Sequence, residues 1–187
     1  LEGKTKMTSG LMPSYAIAYH PGIKNDEKTG NNYNPYMVTD LLRNKYKYEG
    51  VVCTEWNITA DETSVHQFIS GKPWGVEKLS VAQRHYKALM AGVDQFGGNN
   101  DAAPLIEAYN IGVKEFGEKL MRDRFELSAV RLLKNIFRTG LFENPYLDSI
   151  HSKSIVGDPG FMREGYKAQM KSIVMLKNKA GVLPLQK

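Results

Sequence analysis

The sequence predicts an α/β fold with a parallel sheet. Short apolar runs alternate with helical patterns as far as Gly98, in the order strand, helix, strand, helix, strand, helix, which argues for right-handed βαβ units. The run Gly50-Val51-Val52-Cys53-Thr54 lacks polar alternation, as expected of a strand covered on both faces. That run and Gly92-Val93-Asp94 each lead directly to a carboxylate, Glu55 in one and Asp94 in the other. Carboxylates at strand ends suit a fold whose chemistry gathers where loops leave the strands.

Along the chain, Leu1 to Lys6 is polar and uncapped, and reads as a start in mid-domain. Ser9 to Tyr15 is a short apolar run closed by Pro13, a strand whose tip presents Ser14 and Tyr15. Gly, Asn, Lys and Tyr then dominate from Ala16 to Asn34, with turn signals at Pro21-Gly22 and Gly30-Asn31-Asn32, so a long surface loop is expected there. Asn34-Pro35 opens a helix that places Val38, Leu41 and Leu42 on one face and ends near Tyr48. After the Gly50 to Thr54 strand, a polar loop from Asn57 through Gly75 carries Asp61, Glu62 and His66.

Ser80 and Gln83 have capping-box spacing and start a helix over Val81 to Met90, stopped by Gly92. Gly92 to Gly98 is the third strand. From Pro104 to Thr139 the pattern is helical, with a break predicted near Asp123 to Ser128. Ser128 would cap a helix burying Val130, Leu133 and Phe137, which Gly140 ends. Leu141 to Tyr146 reads as a loop, Asp158-Pro159 opens a further helix to about Lys171, and Ile173 to Leu176 reads as a β-branched apolar run before the turn Asn178 to Gly181.

Composition narrows the classes. The chain has 187 residues, 42% hydrophobic and 24% charged, ordinary for a globular protein with one core. No apolar run approaches the roughly 20 residues that span a bilayer, and no signal peptide opens the sequence. The net charge of +5 comes from 25 Lys+Arg interspersed with 20 Asp+Glu. Without a basic block it describes a solvated surface, and neither nucleic acid nor membrane is expected as a partner. Cys53 is the single cysteine and inside an apolar strand reads as a small buried hydrophobe. His20, His66, His85 and His151 share no metal-ligand spacing. No nucleotide-binding or nucleophile-elbow motif is present, so neither metal nor cofactor is expected.

Several stretches together resemble glycoside hydrolase family 3, the β-glucosidase and β-xylosidase family. Tyr48 through Trp56 is similar to its G-F-V-V-S-D-W strand. Met12-Pro13-Ser14-Tyr15 resembles the preceding strand end, and Asn34-Pro35 through Arg43 its N-P-x-L-x-T-D-L-L-R helix. Ala91-Gly92-Val93-Asp94 resembles its A-G-x-D-M strand. Gly140 to Tyr146 and Ser172 to Leu185 resemble the exit from its barrel and the linker beyond.

The resemblance implies a partial (β/α)8 TIM-type barrel, its last three βα units, over residues 1–148, with 149–187 leading toward an α/β sandwich domain. It further implies a retaining glycosidase acting on β-linked glucosides or xylosides, exported to the periplasm or beyond, or else cytoplasmic. Glu55 takes the nucleophile's position, Trp56 walls the sugar subsite, and Tyr15 hydrogen-bonds near the nucleophile. Ser14 and Asp94 join them as substrate-binding residues. Glu55 stands where the family pattern has aspartate, which leaves a non-catalytic glycan-binding barrel and a purely structural α/β module as alternatives. A complete barrel takes about 250 residues, so the acid/base residue is expected outside this sequence and the fragment alone is expected to be inactive. Asp61 and Glu62 are the weaker candidates within it. Exposed barrel edges would favour self-association.

Overall fold

Val51 and Val52 are buried, 4% and 0% exposed, and form strand β2, Val51–Val52. The computed structural model describes residues 7–63 and 70–185; Leu1 to Lys6 and His66 lie outside the described residues. Strand β1, Gly10–Leu11, pairs in parallel with β2, Gly10 opposite Val51 and Leu11 opposite Val52. The ladder continues as Val51 N–H to the Ser9 carbonyl and Cys53 N–H to the Leu11 carbonyl, both 3.0 Å. The chain is an α/β fold with a small parallel sheet.

The third expected strand is reduced to one parallel bridge between Cys53 and Gln95. Thr54 N–H reaches the Gln95 carbonyl at 2.8 Å, but one step earlier the ladder is interrupted. Val52 N–H donates to Asp94 Oδ2 at 3.1 Å, while the Val93 carbonyl accepts from Arg124 Nη2. A side-chain carboxylate thus takes the place of a backbone acceptor.

Asn34 opens the next element as expected: its Oδ1 accepts from Tyr36 N–H at 3.0 Å and Met37 N–H at 3.4 Å. That element is a ten-residue π-helix, Tyr36–Lys45, closed by a five-residue step from Tyr46 N–H to the Leu41 carbonyl at 3.0 Å. Its buried Val38 and Leu42 join Tyr33, Tyr48, Val52, Ile58, Val76, Ala88 and Val93 in one core.

Helix α1, Val81–Ala91, starts with the predicted capping box: Gln83 N–H donates to Ser80 Oγ at 3.2 Å and Ser80 N–H to Gln83 Oε1 at 2.8 Å. It stops at Gly92, whose φ of 113° is open to glycine at little cost. Arg84 on its inner face is buried and donates to the Val76, Thr59 and Glu77 carbonyls, which anchors the loop after β2 to the helix.

His85, 1% exposed, lies on the same helix. Its Nδ1 is 2.8 Å from the Val81 carbonyl, so that nitrogen donates and Nε2 accepts from Thr59 Oγ1 at 3.3 Å. Burial pushes the imidazole pKa down, against smaller upward pulls from the Val81 carbonyl and Asp101. An unfolded histidine takes up its proton near pH 6.5, whereas this one resists it. Its contribution to stability is therefore present above about pH 6.5 and is lost as pH falls toward the lower folded-state value. Urea unfolding between pH 7 and pH 5 should show a steeper loss for the parent than for His85→Gln.

Helices α2, Ala103–Phe116, and α3, Glu118–Arg138, form a hairpin. The break falls at Gly117, φ 87°, not near Asp123 to Ser128. Those residues lie within α3, where Lys119–Asp123 and Arg122–Glu126 pairs at 2.6 and 2.8 Å bridge successive turns. Gly112 of α2 lets the buried Met121 pack against its backbone: a Cβ there would lie 2.3 Å from the Met121 sulfur. Ser128 is buried and caps no helix, and the expected burial of Val130, Leu133 and Phe137 is not found; they are 48%, 43% and 60% exposed. The inner face of α3 is instead its polar side, Arg124, Ser128 and Arg131, which turns to Asp94.

The chain divides into two compact units, Leu1–Gly140 and Leu141–Lys187. The second carries α4, Ser149–Ile155, and α5, Pro159–Ser172. Asp148 Oδ1 caps α4 through Ile150 and His151 N–H at 2.9 and 3.0 Å. The α4 helix falls where no element was expected. Asp158 and Pro159 open α5 as predicted, with Gly160 N–H 2.8 Å from Asp158 Oδ1. Ile173 to Leu176 is exposed and forms no strand among the described residues.

Candidate functional site

Where β1 and β2 run out, Ser14, Tyr15, Glu55 and Trp56 come together. Tyr15 Oη donates to the Trp56 carbonyl at 3.1 Å. Its phenol pKa is raised, first by partial burial and then by the charge of, and hydrogen bond with, the Glu55 carboxylate. The Glu55 Oε1 itself accepts from Trp56 N–H at 3.4 Å, so both side chains meet the backbone of Trp56. Glu55 also raises the neighbouring Cys53 thiol, after the larger effect of burial, so this thiol is poorly suited to act as a nucleophile. Ser14 Oγ accepts from Asn31 Nδ2 at 3.1 Å and stays at the exposed rim.

Trp56 is 48% exposed, and Trp74 lies 5.9 Å from the Tyr15 ring at a tilt of 57°. Lys72 Nζ sits 4.9 Å from the same ring centroid and donates to the Ser70 carbonyl at 3.1 Å. Neither Lys72 nor Trp74 stands out in the sequence, because both belong to a loop whose only local signals are Gly and Pro.

Gly97 and Gly98 allow the indole to lie flat on the chain. A Cβ at Gly98 would sit 2.7 Å from Trp56 Cδ1, at a φ of +71°. Gly98→Ala should therefore tilt Trp56, strain the backbone by about 1 kcal/mol and shift tryptophan emission. Gly10→Ala, whose Cβ meets nothing within 4 Å, should leave the spectrum unchanged.

Asp94 does not join this group, and its expected substrate contact is corrected by its surroundings. Its side chain has no exposed surface. Oδ2 accepts from Arg43 Nη2 at 2.6 Å and Val52 N–H at 3.1 Å. Oδ1 accepts from Ser128 Oγ at 2.8 Å and Arg131 Nη1 at 2.9 Å, with Arg124 Nη1 at 3.6 Å. Arg43 also donates to the Tyr48, Gly50 and Gly92 carbonyls, and Arg124 to those of Leu89 and Val93. Burial lowers the Arg124 pKa to about 10 despite the attraction of Asp94. This cluster ties the π-helix, β2, the end of α1 and α3 together.

Among the other candidates, Asp61 is held by buried Arg84 at 2.7 Å, and Glu62 is exposed. His20 Nδ1 rests 3.2 Å from Asp26 Oδ2. No group of three or more His, Cys, Asp or Glu among the described residues is placed to hold a metal ion, and no described helix is long and apolar enough to cross a membrane.

No protein-family profile matches the chain. It is 38% identical, over 96% of its length, to the periplasmic β-glucosidase/β-xylosidase of Dickeya chrysanthemi, and 36% identical over 95% to β-glucosidase C of Emericella nidulans. It spans 28% and 27% of those proteins. Its fold matches a β-glucosidase from Erythrobacter marinus, with a TM-score of 0.57 and 26% identity over 83% of the chain and 19% of that protein. A β-glucosidase of intestinal bacteria involved in saponin metabolism gives the same TM-score at 23% identity, over 93% of the chain and 20% of that protein. The relatives are of one class, glycosidases that carry the names β-glucosidase and β-xylosidase. The chain belongs to glycoside hydrolase family 3, as a segment of such an enzyme.

Proposed function

We propose that this segment supplies the nucleophile side of a retaining β-glucosidase or β-xylosidase site. The observation that carries the reading is Glu55 just beyond β2, followed by the half-exposed Trp56 whose carbonyl accepts from Tyr15 Oη, in a chain similar along its length to enzymes of those names. The three parallel tracks, β1, β2 and the residues around Gln95, are read as adjacent strands of a (β/α)8 barrel sector, with residues 1–148 in the barrel and 149–187 leading out of it. Its open edges are surfaces for self-association or for the rest of the enzyme. The named location of the Dickeya relative supports export to the periplasm.

In this mechanism the Glu55 carboxylate attacks the anomeric carbon and a second carboxylic acid protonates the departing glycosidic oxygen. That acid, now a carboxylate, then takes a proton from the water that releases the sugar. Retention needs the two carboxyl groups about 5 to 5.5 Å apart. Asp61 is committed to Arg84, so the acid is assigned to the full-length protein outside this segment. Tyr15 orients the Glu55 carboxylate, Trp56 offers an aromatic face to the apolar side of the pyranose, and Ser14 stands at the rim. The ligand is a β-linked glycoside, and the chemistry requires no cofactor.

The test is turnover of aryl β-glucosides and β-xylosides by the full-length protein, with mass spectrometry of the species trapped by an activated 2-fluoroglycoside. A glycosyl adduct on residue 55 supports the reading. A second reading, a glycan-binding site without catalysis, is favoured by glutamate standing where the family pattern has aspartate; binding without turnover or adduct would select it.

A further inference from the structure

We propose that Asn32 is a positioning residue that sets the distance between Glu55 and Tyr15. The inference rests on the catalytic reading of Glu55. Asn32 is 1% exposed and lies in a short 3-10 turn, Asn31–Tyr33, that crosses the mouths of both strands. Its Oδ1 accepts Glu55 N–H at 3.1 Å. Its Nδ2 donates to the Pro13 carbonyl at 3.3 Å and the Ser14 carbonyl at 3.1 Å. Both amide hydrogens and the carbonyl oxygen are therefore used, each on a backbone group at a strand tip. One planar side chain thereby joins the residues just before Tyr15 to the residue that bears the carboxylate.

The turn itself is braced so that Asn32 cannot drift. Gly30 N–H donates to the Trp74 carbonyl at 2.9 Å, Asn31 N–H to the Ala16 carbonyl at 2.9 Å, and Tyr33 Oη to the Ile58 carbonyl at 2.6 Å. The last of these fixes the exit from the Glu55 tip, while the Asn31 bond fixes the exit from Tyr15. Ladder bonds end at Cys53 on the β1 side; beyond that point the two tips are joined by Asn32 and by the Tyr15 Oη bond to the Trp56 carbonyl, and of these Asn32 alone holds the Glu55 amide. Asparagine suits the task because it offers donor and acceptor on one rigid plane. An ionised aspartate would face the Pro13 and Ser14 carbonyls with acceptors only.

The test uses the full-length protein, as Glu55 or as Glu55→Asp, whichever turns over faster, with Asn32→Leu and Asn32→Asp added singly. A misplacement of about 1 Å at a reacting group costs about a hundredfold in rate. Asn32→Leu is accordingly expected to lose about ten- to a hundredfold in kcat with little change in KM. Asn32→Asp should recover kcat, relative to the parent, as pH is lowered and the new carboxyl gains a proton it can donate. A crystal structure of Asn32→Leu should show the separation of Tyr15 Oη from the Glu55 carboxylate changed. Unaltered kcat in folded variants, or an unaltered separation, would overturn the proposal. If no form turns over, the glycosidase reading fails, and the separation measured in the crystal decides the positioning role by itself.

Discussion

Replacing Glu55 with aspartate is expected to raise kcat/KM for an aryl β-glucoside about a hundredfold in the full-length protein. The strand that delivers residue 55 is fixed on both sides, by Cys53 N–H on the Leu11 carbonyl and by Thr54 N–H on the Gln95 carbonyl. Asn32 holds the residue 55 amide itself. With the backbone held, the extra methylene of glutamate displaces the carboxylate by about 1 Å from where aspartate would hold it, and its Oε1 lies 3.4 Å from Trp56 N–H. Shortening the side chain withdraws it toward the position the family pattern implies. The Tyr15 phenol reports the same change without substrate, since the Glu55 charge and hydrogen bond raise its pKa and an altered carboxylate position alters that rise. An aspartate variant no faster than the parent, with both folded, would show that the site accommodates glutamate as its natural nucleophile.

Asp94→Asn is expected to cost about 3 to 5 kcal/mol of stability, because it leaves buried arginines without their counter-charge. Three guanidinium groups, those of Arg43, Arg124 and Arg131, converge on this one carboxylate, and their side chains are 9%, 13% and 15% exposed. An amide would also turn a donor toward the donors already there. Backbone carbonyls of Leu89, Gly92 and Val93 take part of the positive charge, since the end of α1 presents the negative pole of its dipole. Urea unfolding followed by circular dichroism measures the loss, and a cost below about 1 kcal/mol would mean that these carbonyls and solvent suffice. Because Asp94 also accepts Val52 N–H, the same variant should loosen β2 and lower activity through Glu55.

The sequence by itself determined the elements whose cause is local. The Ser80 and Gln83 spacing makes a capping box whatever surrounds it, Gly92 and Gly140 end helices because left-handed conformations, φ 113° and 70°, suit glycine, and Asp158-Pro159 caps α5. The strand expected over Gly50 to Thr54 was legible from its unbroken apolar run, and it forms as Val51–Val52 with a bridge at Cys53.

Tertiary structure decided everything that depends on which groups meet. Periodicity placed Val130, Leu133 and Phe137 inward. The helix turns Ser128 and Arg131 to the buried Asp94 carboxylate instead, with hydrogen bonds of 2.8 and 2.9 Å. The same carboxylate reduced the third strand to a single bridge and removed Asp94 from the candidate site. Asn32 looked like one more turn residue in Gly30-Asn31-Asn32. Its role emerges only from the three backbone groups at 3.1 to 3.3 Å that surround it, a coincidence of distant segments that no local pattern records.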